Sequence, residues 1–253
     1  MSVTPSTAER LRHASSLIDQ LPRAARPLPR SVPGADANGP EDVFAPGAPL
    51  LSEVFSSTGN CGVPVGFVLS QLPERAFQGA PILWIRDRLT RLEAGRPYLG
   101  GMRPGLRVIR VDVSRPVDAL WAMEEGLRCG TLGAVIAEVW GDPQVLDFTA
   151  SKRLALRSEA SGVPAWLVRR AATAHLSAAR RRWRLSPRLS LCDPHDPQAP
   201  GQIRWEAELF RTRTGKPGHW HLTPGPDRLE VEIPSDEVQD DRWDADHPLP
   251  QAV

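Results

Sequence analysis

The feature that most constrains the fold is an apolar run at residues 132–140, LGAVIAEVW, with a helix-like segment on each side. A strand that is apolar at nearly every position must be covered on both faces, which is typical of a parallel sheet in an α/β protein. Because strands that alternate with helices imply right-handed crossovers, we predict an α/β fold with a mostly parallel sheet flanked by helices. The other predicted strands are PLLSEVF, PILWIRD, LRVIRVDV and GVPAWLVRR.

Three segments between these strands are predicted to be helices. PVGFVLSQL is short and apolar, and DFTASKRLALRSEA has an amphipathic pattern. The clearest helix is SRPVDALWAMEEGLRCG at residues 114–130. In it, Ser114 is expected to cap the first amides, and Gly130 is expected to end the helix in a left-handed conformation.

After residue 170, the pattern changes to short stretches in which apolar and polar residues alternate. ARRRWRLSP, QIRWEAELFRTRTG and GHWHLTP have the alternation of half-exposed strands joined by turns. Such strands commonly pair antiparallel, with one face solvated. We therefore predict an antiparallel extension at the C-terminal edge of the sheet.

The two ends of the chain differ in composition from its middle. Residues 1–49 contain a short helical pattern at 7–21, followed by a proline-rich arm without periodic burial. Residues 224–253 are strongly acidic and are predicted to be a disordered tail. The core domain is expected to span residues 50–223, which is long enough to bury a sizeable core.

Cysteine usage and hydropathy indicate the compartment. Cys61, Cys129 and Cys192 are far apart, and none belongs to a Cys-x-x-Cys pair, so a disulfide framework is not indicated. The N-terminus lacks the apolar core of a signal peptide, and no apolar run reaches the roughly 18 residues that could span a membrane. We expect a cytoplasmic protein with no membrane partner.

Two short histidine motifs are candidates for metal binding. His219 and His221 lie two residues apart, and Cys192 with His195 has a spacing that suits ligands. Neither pair has a convincing second pair of ligands elsewhere in the sequence. The sequence therefore predicts no metal site.

A glycine-spaced turn, SSTGNCGVPVGFVL, stands where a phosphate-binding loop would lie. Such a loop requires G-x-x-x-x-G-K-[ST], in which amides cradle the phosphates, the lysine neutralises charge and the hydroxyl binds magnesium. Val63 and Pro64 stand near the expected lysine and hydroxyl positions, and proline also removes one amide. The glycines of this degenerate nucleotide loop are Gly59, Gly62 and Gly66.

The loop is interpreted as a vestigial turn that still joins a strand to a helix, with a weakened anion or nucleotide site as the alternative. Phosphoryl transfer relies on positioned positive charge and metal, and this loop lacks the groups that supply both. We therefore expect no ATP hydrolysis, no catalytic residue and no cofactor. Glu138 lies near the end of one predicted buried strand, and Asp87 follows another. A structural hydrogen-bonding role is favoured for both residues over metal binding.

The strongest signal outside the core is at residues 168–188, which hold seven arginines and no acid. Basic groups beside an aromatic ring suit phosphate contact and base stacking. In a strand these side chains would alternate between two faces, which also describes a solvated edge strand, and the sequence leaves both interpretations open. The candidate DNA- or partner-binding residues are Arg169, Arg170, Arg180, Arg181, Arg182, Trp183 and Arg184.

Eight tryptophans against one tyrosine is an unusual ratio. Trp84, Trp121, Trp140 and Trp166 fall in predicted core elements, so core packing explains them better than a stacking platform does. Trp243 stands among acidic residues in the predicted tail, where it is either a short docking motif or part of a solubilising segment.

Several stretches of the chain resemble the ImuA family. The family comprises degenerate RecA-like proteins that are encoded in many bacteria beside an inactive-type Y-family polymerase homologue and an error-prone replicative-type polymerase subunit. The resemblance covers roughly residues 50–222. It is carried by SRPVDALWAMEEGLRCGTLGAVIAEVW, LDFTASKRLALRSEASGVPAWLVR, SAARRRWRLSP and WEAELFRTRTGKPGHWHL.

The resemblance implies a RecA-like core, SOS induction and a role in mutagenic translesion synthesis. It implies a non-catalytic adaptor that contacts the Y-family-like partner, and RecA or the error-prone polymerase as further partners. The alternatives are a single-stranded DNA-binding or RecA-filament-modulating protein, a cell-division inhibitor resembling SulA, and a residual ATPase. The N-terminal segment SVPGADANGPEDVFAPGA departs from the family pattern.

Overall fold

The computed structural model describes residues 50–56, 61–196, 198–225 and 229–231, together with Phe44, Ala48 and Gly59. The predicted helix at residues 7–21, nearly all of the proline-rich arm and most of the predicted tail, including Trp243, lie outside the described residues. In the part that is described, no helix has the length and apolarity needed to cross a bilayer.

Helices and strands alternate along the first half of the described chain. The strands are β1 (Leu51–Ser56), β2 (Ile82–Arg86), β3 (Val108–Asp112), β4 (Ala134–Trp140), β5 (Ala165–Arg170), β6 (Arg181–Arg188), β7 (Arg204–Thr212), β8 (Gly218–Pro224) and β9 (Leu229–Val231). The helices are α1 (Val63–Ser70), α2 (Arg88–Glu93), α3 (Pro116–Gly126) and α4 (Phe148–Ser161), and 3₁₀ turns lie at Glu74–Ala76 and Leu99–Gly101. The strands and helices predicted within residues 50–224 are confirmed, whereas α2 and β9 were not predicted.

All these strands form one sheet, in the order β3-β2-β4-β5-β1-β6-β7-β8-β9. Neighbours from β3 to β6 pair parallel, and β6, β7, β8 and β9 pair antiparallel. The predicted α/β class is therefore confirmed, with a mostly parallel sheet and an antiparallel C-terminal extension. This arrangement is consistent with a RecA-like fold.

The central strands are buried on both faces, as their composition predicts. Successive residues of β4 belong to different apolar clusters, with Val135 in one and Ile136 in the other. Met123 of α3 and Leu154 of α4 belong to the first cluster, and Phe67 of α1 belongs to the second. Because successive strand residues point to opposite faces, the two clusters cover opposite sides of the sheet.

Three details of α3 differ from the prediction. Arg115, rather than Ser114, is the residue before the first turn, and the helix ends at Gly126, with Leu127 as its C-cap, instead of reaching Gly130. Trp121, assigned to the core from the sequence, is 43% exposed. The reason is helical geometry, because Leu120 faces the sheet and the next residue points about 100° away from it.

The sheet also continues beyond the predicted core boundary at residue 223. Leu229 and Val231 alternate with acidic residues, and this pattern lets a short strand pair with β8, with Val231 opposite Leu222. Leu229 is 9% exposed and joins the second apolar cluster. The predicted start of the disordered tail, at residue 224, is therefore wrong, because residues 229–231 form a strand.

Replacement of Leu229 by alanine should lower the free energy of unfolding by roughly 2 kcal/mol. This value is at the low end of the range for a buried leucine, because β9 lies at the edge of the sheet. Leu92→Ala is the matched control, since Leu92 is 65% exposed and its loss should cost less than about 0.5 kcal/mol. Urea unfolding of both variants measures the difference. Equal costs would show that β9 does not stabilise the domain.

Candidate functional site

The degenerate nucleotide loop, which joins β1 to α1, is held through its carbonyl groups. Nη1 of Arg170, at the end of β5, donates to the carbonyl oxygens of Gly59 at 2.9 Å and Cys61 at 2.8 Å. A phosphate site instead aims backbone amides at its ligand. This side of the loop is therefore complementary to a cation, and the guanidinium group of Arg170 is that cation.

The amides at the start of α1 give little further support for anion binding. The Val63 amide donates to the sulfur of Cys61 at 3.4 Å. Pro64, the next residue, has no amide hydrogen. Gly62 stands at the N-cap without a side chain that could complete the first turn.

Two of the three loop glycines are explained by close packing against tryptophans. A Cβ atom on Gly59 would lie 2.5 Å from the ring of Trp140, and one on Gly66 would lie 2.8 Å from the ring of Trp205. Both distances are shorter than any normal contact, so a side chain at either position would displace an indole. Among the residues that the structure describes, none beyond its immediate chain neighbours has an atom within 4 Å of a Cβ placed on Gly62.

The arginine that holds the loop belongs to a buried ion pair. Nε and Nη2 of Arg170 contact Oε2 of Glu138 at 2.8 and 2.7 Å, and the two side chains are 4% and 2% exposed. Trp84 Nε1 donates to the other carboxylate oxygen at 2.8 Å. Both oxygens of Glu138 are therefore engaged, in agreement with the structural role predicted for it.

Asp87 has a structural hydrogen-bonding role, which the sequence favoured for it. Its carboxylate accepts a hydrogen bond from the amide of Thr90 at 2.8 Å and so caps α2. The second oxygen accepts from the amide of Trp140 at 3.2 Å. Asp87 thus joins α2 to the end of β4, close to the loop.

At least five of the seven arginines in residues 168–188 are paired with acids from other parts of the chain. No acid lies within the segment itself, so this compensation arises only in the folded protein. The positive charge of residues 168–188 is therefore less available to a polyanion than the sequence suggests. The pairs are Arg169 with Asp142, Arg170 with Glu138, Arg180 with Glu159, Arg182 with Glu53 and Arg184 with Glu208.

Burial divides the candidate binding residues into two groups. Arg169, Arg170, Arg182 and Trp183 are all at most 4% exposed, so in this fold they cannot contact DNA or a protein partner. The solvated-edge interpretation is also wrong, because β6 lies between β1 and β7. The candidates that remain outside this buried group are Arg180, Arg181 and Arg184.

The predicted alternation of side chains along β6 is confirmed. The guanidinium groups of Arg182 and Arg184 lie over the ring of Phe210, at 5.2 and 4.1 Å from its centroid. Trp183 points the other way and packs 5.0 Å from the ring of Phe67. The aromatic ring that was expected to stack on bases is thus part of the core.

A polar network lines a cavity of about 350 Å³ beside β1 and β5. Burial lowers the pKa of Arg169, against the opposing effect of nearby Glu53 and Asp142. Burial acts to raise the pKa of Asp142, but hydrogen bonds from Thr173 and the charge of Arg169 outweigh it, and the pKa lies below its ordinary value. The cavity therefore carries both signs of charge.

Glu53 is the residue of this network that the sequence analysis missed. It is 1% exposed, and its two oxygens accept from Ser177 Oγ at 2.8 Å and from Arg182 Nε at 2.7 Å. An acid inside the apolar stretch PLLSEVF was the available signal, since a buried carboxylate requires a partner.

Comparison with known proteins identifies two related sequences. The chain is 30% identical over 178 residues to Protein ImuA of Caulobacter vibrioides strain NA1000 / CB15N, and the alignment covers 64% of this chain and 70% of that protein. Protein ImuA of strain ATCC 19089 / CIP 103742 / CB 15 matches to the same extent. No family model matches the chain.

Replacement of Arg170 by methionine should lower the free energy of unfolding by about 3–5 kcal/mol, because it leaves Glu138 buried without a cation. The control is Arg184→Met, which breaks the exposed pair with Glu208 and should cost less than about 1 kcal/mol. Combining Arg170→Met with Glu138→Leu should restore much of the loss. Urea unfolding measures all three effects, and similar costs for the two single variants would contradict a structural role for the buried pair.

Proposed function

The chain belongs to the ImuA family, and from that membership we propose that it is a non-catalytic, RecA-like adaptor in error-prone translesion DNA synthesis. In this proposal it acts in the SOS response to DNA damage. It contacts a Y-family polymerase-like protein and further components of the same mutagenic assembly. The further partner in this proposal is RecA or the error-prone polymerase.

The main support for a non-catalytic role is the arginine that holds the nucleotide loop. Phosphoryl transfer needs positive charge and metal placed at the phosphates. Here the charge of Arg170 is neutralised by Glu138, and its free donor is turned to the carbonyls of Gly59 and Cys61. The acid at the end of β4 is likewise committed to Arg170 and Trp84 rather than left for a metal.

Exposed apolar side chains support a role in protein contacts. Large apolar groups that remain exposed beside one another often mark interaction surfaces. A series of them lies on α2 and on the turn that follows it, within residues 89–99. They are Leu89, Leu92, Tyr98 and Leu99, which are 48%, 65%, 82% and 48% exposed.

The ion pairs of the arginine segment favour an adaptor over a DNA-binding protein. Affinity for nucleic acid depends on basic groups that can neutralise phosphates and release counterions. Five of the six candidate arginines already have carboxylate partners. Each would have to give up or share a partner before it could neutralise a phosphate.

The adaptor proposal predicts a stable complex with the Y-family polymerase-like protein of the same cassette, formed equally well with and without ATP and magnesium. Co-elution of the two purified proteins in size-exclusion chromatography measures it. Magnesium-dependent ATP turnover that Glu138→Gln abolishes would contradict the non-catalytic part. Absence of a complex, with circular dichroism showing a folded sample, would contradict the adaptor itself.

A second experiment separates the adaptor from a DNA-binding protein. Fluorescence anisotropy with a single-stranded oligonucleotide should give weak binding, and the triple variant Arg180→Ala, Arg181→Ala, Arg184→Ala should leave the salt dependence unchanged. Arg128→Ala is the control, because Arg128 is an exposed, paired arginine outside the segment. If the segment binds DNA, losing three phosphate contacts should flatten the log–log salt slope by about 2 in the triple variant alone.

A further inference from the structure

Three potential metal ligands lie together on one face of β7 and β8. His219 and His221 are two residues apart on β8, so both side chains point to the same side of the sheet. Glu206 of β7 lies directly opposite His221 in the antiparallel register. One ligand atom from each residue lies within 4.8 Å of the other two.

The distances are close to those that a bound ion requires. A tetrahedral zinc ion with bonds of about 2.0–2.1 Å holds its ligand atoms roughly 3.3 Å apart. Nε2 of His219 is already 3.1 Å from Oε1 of Glu206. The two imidazole rings have centroids 6.1 Å apart and are tilted by 72°, so modest side-chain rotation brings the ligand atoms together.

A neighbouring residue orients the carboxylate. Ser186 Oγ, on β6, donates to Oε2 of Glu206 at 3.0 Å, which leaves Oε1 directed at His219. Such supporting hydrogen bonds fix the orientation of metal-ligating side chains. Glu208, the next acid on the same face, is held instead by Nη1 of Arg184 at 2.9 Å.

The group of ligands is accessible to an ion from solution. The side chains of Glu206 and His219 are 39% and 52% exposed, and both line an open cavity of about 470 Å³. An ion held by three protein ligands at this position would keep a fourth coordination site for water or for a group from a bound molecule.

We propose that Glu206, His219 and His221 bind a divalent transition-metal ion, with Zn²⁺ as the species that best matches the site. Two imidazoles and one carboxylate are the ligand set that zinc accepts, whereas calcium and magnesium prefer oxygen ligands alone. The ion ties β7 to β8 in the antiparallel extension. The site is independent of the nucleotide loop and of the adaptor role.

The contrasting explanation is an ordinary surface pair between His219 and Glu206. Exposed ion pairs contribute little to stability and need no third residue. Metal affinity therefore distinguishes the two, because a surface pair does not produce a saturable zinc site.

Calorimetric titration of the tag-free chain with Zn²⁺ should show one saturable site. His219→Ala with His221→Ala, and separately Glu206→Gln, should weaken binding by at least about 100-fold, since even supporting residues contribute about 10–100-fold. Ser186→Ala should weaken it by roughly 10-fold. Absorbance after substitution with Co²⁺ reports the coordination geometry and should be lost in the double histidine variant.

His195→Ala and Glu208→Gln are the matched controls and should keep the affinity of the unmodified chain. The side chains of Glu206, Glu208 and His219 are at least about a third exposed, and His195 is exposed. His221 and Ser186 are partly buried, so circular dichroism checks that each variant is folded. Zinc affinity that is unchanged in the double histidine variant would overturn the proposal. So would an unmodified chain that takes up no zinc at millimolar concentration, or loss of affinity in His195→Ala, which would place the ion at Cys192.

Discussion

The buried ion pair between Arg170 and Glu138 connects the elements on which the rest of the structure depends. It joins β5 to β4, receives the indole of Trp84 from β2, and holds the loop that leads from β1 into α1. Removing two charges from water is costly, and only close geometry with further hydrogen bonds offsets that cost. These hydrogen bonds come from four separate segments, so the pair is satisfied only when the segments are correctly assembled.

The same pair is consistent with the proposed non-catalytic role of the loop between β1 and α1. The strand, loop and helix remain in sequence because the sheet still has to be connected, while an internal arginine now contacts the loop carbonyls. Trp140 and Trp205 pack against the positions where Gly59 and Gly66 lack a side chain. The glycines are thus required by packing, which supports the proposed loss of catalysis without any loss of fold.

Local patterns in the sequence were sufficient to predict the order of strands and helices. They were not sufficient to predict which side chains from distant segments meet in the fold. The apolar run of β4 predicted burial on both faces, and Asp147 was rightly placed at the start of α4. Arg182 looked like a surface residue because its partner, Glu53, is 129 positions away in the sequence. His219 and His221 looked incomplete for a related reason, since Glu206 comes from the neighbouring strand.

The position of β1 in the centre of the sheet affects how the chain is made. Both neighbours of this strand, β5 and β6, are encoded far downstream of it, and Arg188 follows Ser56 by 132 residues. At about 5–20 residues per second, synthesis of that interval takes roughly 7–26 s. During this time the apolar side chains of β1 lack their final neighbours, so the central strand of the sheet is completed only late in synthesis.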